Sequence, residues 1–114
     1  MAQPHLQSGQ IAHLAPLGAQ LSQHVSTALF KASQLEVVRL VLPRGQSLRE
    51  HRVPGEITLQ CLEGEVRLQT DTGTELLRAG DLVHMDGNAP HGLQAVHDSS
   101  LLLTICLAPR ANPA

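Results

Sequence analysis

The stretch Gly45-Gln-Ser-Leu-Arg-Glu-His51-Arg-Val-Pro-Gly-Glu56-Ile-Thr-Leu-Gln60-Cys-Leu-Glu-Gly64 decides how this chain reads. It opens and closes on glycine, carries a histidine at 51, and sets a carboxylate at 56 directly ahead of an apolar segment. A second stretch, Gly80 to His91, answers it later in the chain. From Gly45 onward turn residues return about every eight to ten positions, the spacing of an all-β sandwich or barrel.

Working outward, the pattern predicts strands over 27–31, 35–42, 57–62, 66–69, 75–78, 82–85, 91–96 and 101–107. The second of these puts Val38, Leu40 and Leu42 on one face, and Val66 and Leu68 alternate with Arg67 and Gln69. Pro43-Arg44-Gly45, Glu63-Gly64-Glu65, Asp71-Thr72-Gly73, Ala79-Gly80-Asp81, Asp86 to Pro90 and Asp98-Ser99-Ser100 supply the turns. No segment between 35 and 107 carries a helical period.

At 114 residues the chain is one domain with one core. Phe30 is its sole aromatic residue, so the core must be aliphatic and no platform exists for stacking bases. A formal net charge of −2 with scattered basic residues removes the footprint a phosphate backbone requires, so no nucleic-acid partner is expected. The start lacks a basic, then apolar, leader, and the longest apolar run, 101–108, is broken by Thr104 and too short to span a bilayer. A cytoplasmic protein without a membrane partner is expected, with Cys61 and Cys106 reduced in apolar strands. Residues 1–24, interrupted by Pro4, Gly9, Pro16 and Gly18, read as an arm with at most one short strand or 3₁₀ turn. Residues 25–108 form the barrel domain and 109–114 a frayed tail, while His5, His13 and His24 fall in the arm as surface residues.

The glycine–histidine frame resembles that of the cupins. Gly45, His51 and Gly64 match the first cupin motif, and Gly80 and His91 match the second. The resemblance covers roughly residues 35 to 107 and implies a small RmlC-like jelly roll, a double-stranded β-helix. In many cupins four residues of these motifs hold a metal. Here Val53 stands at the second histidine of motif one, Ile57 at its glutamate and Ala95 at the asparagine of motif two. Asp86 and Asn88 replace a proline and a glycine. His51 and His91 remain.

A divalent transition metal such as iron, manganese, nickel or zinc needs three or four nitrogen or oxygen donors at about 2.0–2.2 Å. Glu56 is the third donor the sequence offers to His51 and His91, as a ligand or general base. It stands one residue from the motif position, which on a regular strand turns it to the opposite face. A bulge at Pro54-Gly55 would restore the face and bring Thr58 and Gln60 inward with it. Without the bulge, Ile57, Leu59 and Cys61 line an apolar interior. Val53, Ile57, Gln60 and His84 are therefore candidate pocket residues. Glu63, Glu65 and Arg67 read as a solvated rim, and the adjacent Ser99 and Ser100 cannot form a triad with His97 and Asp98.

Two functions from different classes follow. One is a metal-dependent oxygenase or isomerase acting on a small organic molecule; the other is a ligand-binding or sensing module that has lost the metal. The resemblance also implies a homodimer, formed by sheet packing or by exchange of the N-terminal strand, and Leu29, Phe30, Val37 and Val41, which lie off the inferred core face, are the residues available for it.

Overall fold

The computed structural model describes residues 5–107, so the expected tail over 109–114 lies outside the described residues. Nine strands follow in order: β1 (Thr27–Lys31), β2 (Leu35–Leu42), β3 (Ser47–His51), β4 (Ile57–Glu63), β5 (Glu65–Thr70), β6 (Gly73–Arg78), β7 (Leu82–Met85), β8 (His91–Ala95) and β9 (Ser99–Cys106). They form a five-stranded sheet, β1-β2-β9-β4-β7, against a four-stranded sheet, β3-β8-β5-β6. Every pairing is antiparallel, and neighbours distant in sequence, such as β2 with β9, give the jelly-roll arrangement. Among the described residues no helix is long and apolar enough to cross a membrane.

Alternation builds the core. Ile57, Leu59 and Cys61 of β4 point inward opposite Ile105, Leu103 and Leu101 of β9. Val66 and Leu68 of β5, Leu77 of β6, and Leu93 and Ala95 of β8 meet them from the facing sheet. Each fully buried Leu, Ile or Val is worth roughly 1.5–3 kcal/mol, so this stripe pins the register of both sheets.

Strand β3 is absent from the sequence expectation because Leu48 is its one apolar residue. It lies at the edge of its sheet, paired to β8 alone. An edge strand at the mouth of a barrel needs little apolar patterning, and periodicity does not register it.

Two irregularities decide which way key side chains point. In β3, three steps from Leu48 to His51 are matched by two from Leu93 to His91. In β4, two steps from Cys61 to Glu63 are matched by one from Leu101 to Ser100. Each extra residue shifts parity by one. The first turns His51 to the same side as Leu48; the second turns Glu63 out of the core.

Outside the core, Glu63 accepts the backbone N–H groups of Leu17 at 2.9 and 3.0 Å and of Gly18 at 3.0 Å, and also the Ser100 hydroxyl. Arg39 reaches Glu63 at 3.3 Å and the Ala15 carbonyl at 2.7 Å. Glu63 thus ties the arm to the barrel, where the sequence suggested a solvated rim. The arm's one helical turn, a 3₁₀ helix over Gly18–Gln23, buries Leu21.

Ser99 and Ser100 are fully buried at the start of β9 instead of in a turn. Each hydroxyl is satisfied, Ser99 by the His97 carbonyl at 2.7 Å and Ser100 by Glu63. Val41, expected on a dimer face, is itself buried, and its N–H donates to the Ser26 hydroxyl at 2.8 Å. It has no surface left to give a partner.

The β4–β5 turn needs its glycine twice over. Gly64 has φ +84°, and a Cβ there would sit 2.3 Å from both the Asp98 carbonyl oxygen and the Ser99 hydroxyl.

Candidate functional site

One end of the barrel opens into a cavity of about 340 Å³. Its walls are Leu40, Leu48, Ile57, Leu59, Leu93 and Leu103, drawn from both sheets, and its mouth carries His51, His91, Arg49 and Glu50. His51 and His91 are register partners on β3 and β8, with ring centroids 4.4 Å apart and planes inclined at 56°. His91 is 5% exposed, whereas His51 faces solvent at the rim.

Each ring is held by the carbonyl two residues earlier in its own chain segment. His51 Nδ1 lies 3.0 Å from the Arg49 carbonyl and His91 Nδ1 lies 3.0 Å from the Ala89 carbonyl. A carbonyl only accepts, so Nδ1 carries the proton in both rings. In its neutral form each imidazole then has Nε2 as the unprotonated nitrogen, the arrangement that leaves a histidine able to accept a hydrogen bond or ligate a metal.

Glu56 is not brought to this pair. The strand after Pro54-Gly55 keeps Ile57, Leu59 and Cys61 inward, so the residues between them take the outer face. Glu56 lies outside, where its Oε1 is 2.8 Å from His84 Nε2, with side chains 66% and 53% exposed respectively. Donor atoms of Glu56, His84 and Asp86 all lie within 4.8 Å of one another. Among the described residues, this is the one such group of three; no carboxylate or thiol completes a group with His51 and His91.

The other expected pocket residues divide. Ile57 lies on the cavity wall, and Val53 is half-buried against the core. Gln60 and His84 sit outside the cavity lining, on the β4–β7 ladder where Gln60 pairs with Leu82 and His84 with Thr58. Cys61 is inert: burial pushes its thiol above the ordinary range, so it stays protonated at neutral pH.

Two donors fall short of the three or four a divalent site requires, so the cavity residues alone do not form a complete metal site. Sequence reasoning missed the extra residue at Arg49-Glu50, which no residue type announces. It also missed Asp86 as a companion of His84, although a spacing of two on a strand was there to be read.

The description of the Cupin domain matches residues 38–107 of the chain. No curated protein sequence matches it. A conserved protein of unknown function from Streptococcus pyogenes is similar in structure at TM-score 0.71 and 26% identity, covering 97% of this chain and 100% of that one. A cupin superfamily protein from Desulfitobacterium hafniense gives TM-score 0.73 at 17% identity, over 86% of this chain and 95% of that one. KdgF from Halomonas sp. gives TM-score 0.67 at 16% identity, over 75% and 79%. At such identities the last two speak for the fold alone.

Proposed function

The chain belongs to the family of cupin domains, and from this we propose that it binds a small organic molecule in the barrel cavity, apolar body inward and polar head against His51 and His91. The observation that carries the reading is the pair of imidazoles, each with Nδ1 committed to a backbone carbonyl, at the mouth of an aliphatic chamber. A volume of about 340 Å³ suits a compact ligand, near the lower end of small-molecule pockets. Burying its apolar part against Leu and Ile side chains yields about 25 cal/mol per Å², while the two Nε2 atoms select the head group. They accept from a hydroxyl or N–H donor, or, once protonated, pair with a carboxylate.

A second reading rests on the same tautomers. Two Nε2 donors can hold a divalent transition metal (iron, manganese, nickel or zinc) when the bound molecule and water complete the shell. With Val53 and Ile57 in place of further donors, this chain favours binding or sensing over metal-dependent oxygenation or isomerisation.

Thermal-shift measurements on chelator-treated protein test both. Small alcohols, phenols and carboxylic acids are screened with and without each metal, on wild type, His51→Ala and His91→Ala. Stabilisation of wild type that both variants lose supports the reading, and its dependence on added metal selects the second form. Stabilisation that neither variant alters overturns it.

A further inference from the structure

We propose that Glu56, His84 and Asp86 form a divalent-cation site on the outer surface of the barrel, separate from the cavity. The strand ladder builds it. Ile57 of β4 pairs with Met85 of β7, and both side chains are buried, so the residues on either side of Met85, His84 and Asp86, share the outer face. Glu56 precedes Ile57 and comes out on that same face opposite them. One imidazole and two carboxylates thus converge from two adjacent strand ends, with all donor atoms within 4.8 Å.

The spacing suits an ion. Ligands held 2.0–2.2 Å from a metal lie about 3–3.5 Å from one another. Glu56 Oε1 and His84 Nε2 are already 2.8 Å apart, so a small outward turn of the side chains seats a cation where the bridging proton now lies. Two carboxylates set close together across a strand pair repel, and a divalent ion offsets both charges at once. One nitrogen and two oxygens suit zinc, manganese, cobalt or nickel, with water at the remaining positions because the group is open to solvent.

The backbone carrying these donors is held at three points. The Asn88 N–H donates to the Val53 carbonyl at 2.7 Å, and the Cys106 N–H donates to the Glu56 carbonyl at 2.9 Å. Gly87 packs so tightly on the segment bearing Glu56 that a Cβ there would lie 2.4 Å from the Pro54 carbonyl oxygen. Binding then costs side-chain ordering alone, with the donors' strand ends already in place.

Untagged full-length protein, stripped with chelator, is titrated with zinc by calorimetry, and cobalt is added separately to read its visible absorption. Wild type should bind a single ion with micromolar affinity. His84→Ala, Glu56→Gln and Asp86→Asn should each weaken it by about tenfold or more, while the His51→Ala/His91→Ala double variant should leave it unchanged. Because all three donors are exposed, unchanged melting temperatures of the metal-free variants verify folding. Zinc affinity that His84→Ala leaves intact overturns the proposal. So does affinity that disappears in the His51/His91 double variant, which would move the ion to the cavity mouth.

Discussion

His51 faces His91 across the β3–β8 ladder because one extra residue stands between Leu48 and His51. In a regular pairing the residue opposite His91 would be Glu50, and the imidazole of 51 would point away from the barrel. A single unpaired backbone unit therefore decides whether this chamber has one histidine at its mouth or two.

The motif position at Ile57 can be used to rebuild what the chain lacks. Ile57 is 3% exposed and lies on the wall below the two histidines. Ile57→Glu should destabilise the metal-free protein by roughly 3–5 kcal/mol, the cost of an uncompensated buried charge. Added zinc or manganese should then recover much of that loss, raising the melting temperature of the variant far more than that of wild type. A variant indifferent to metal would show that position 57 and the histidines do not converge.

The cavity wall predicts a split between two leucines. Leu59 is 2% exposed and belongs to the packed core as well as the chamber, so Leu59→Ala should cost about 2–5 kcal/mol in urea unfolding. Leu103 is half-buried and borders space that is already open, so Leu103→Ala should cost less. It should also shift ligand preference toward bulkier molecules, read as the rank order of thermal shifts across a size series.

Gly45 and Gly64 bracket the opening motif, have nearly equal φ angles of +85° and +84°, and should respond differently to alanine. Around Gly45 a Cβ would meet nothing within 4 Å, so Gly45→Ala bears only the backbone strain, about 1–2 kcal/mol. At Gly64 the same strain is joined by a collision 2.3 Å from the Asp98 carbonyl oxygen, and Gly64→Ala should be several-fold more destabilising or fail to fold. Denaturation midpoints of the two variants check the contrast.

Glu63 predicts an acid-sensitive arm. Burial acts to raise its carboxyl, but the Leu17 amide, the Ser100 hydroxyl, the Gly18 amide and Arg39 together hold it below the ordinary carboxylate range. A carboxyl depressed in the folded state contributes stability that is fully present above the unfolded pKa, about 4.3 for glutamate. That contribution is lost as pH falls from there through the folded value. Wild type should therefore exceed Glu63→Gln in stability at neutral pH, and the gap should close below about pH 4. A gap that stays constant from pH 7 to pH 3 would remove Glu63 as the acid-sensitive fastener.

The sequence alone determined the architecture. A period of two in Leu, Val and Ile, with turn residues at short intervals, leaves few folds but an aliphatic antiparallel barrel, and eight of the nine strands begin within two residues of where the alternation puts them. Gly45, Gly64, Gly80, His51 and His91 were legible because turns and a motif frame depend on residue type at fixed spacing. The faces of His51, Glu56 and Glu63 were decided by tertiary structure. Alternation assigns a face only while every residue is paired, and an unpaired residue reverses each assignment after it without changing composition or period. Of the two alternatives at Pro54-Gly55, the folded chain takes the one that keeps Ile57, Leu59 and Cys61 inward, and its extra residues stand at Arg49-Glu50 and at Leu62. That turns one histidine into the chamber, leaves Glu56 outside beside His84, and swings Glu63 out to hold the arm.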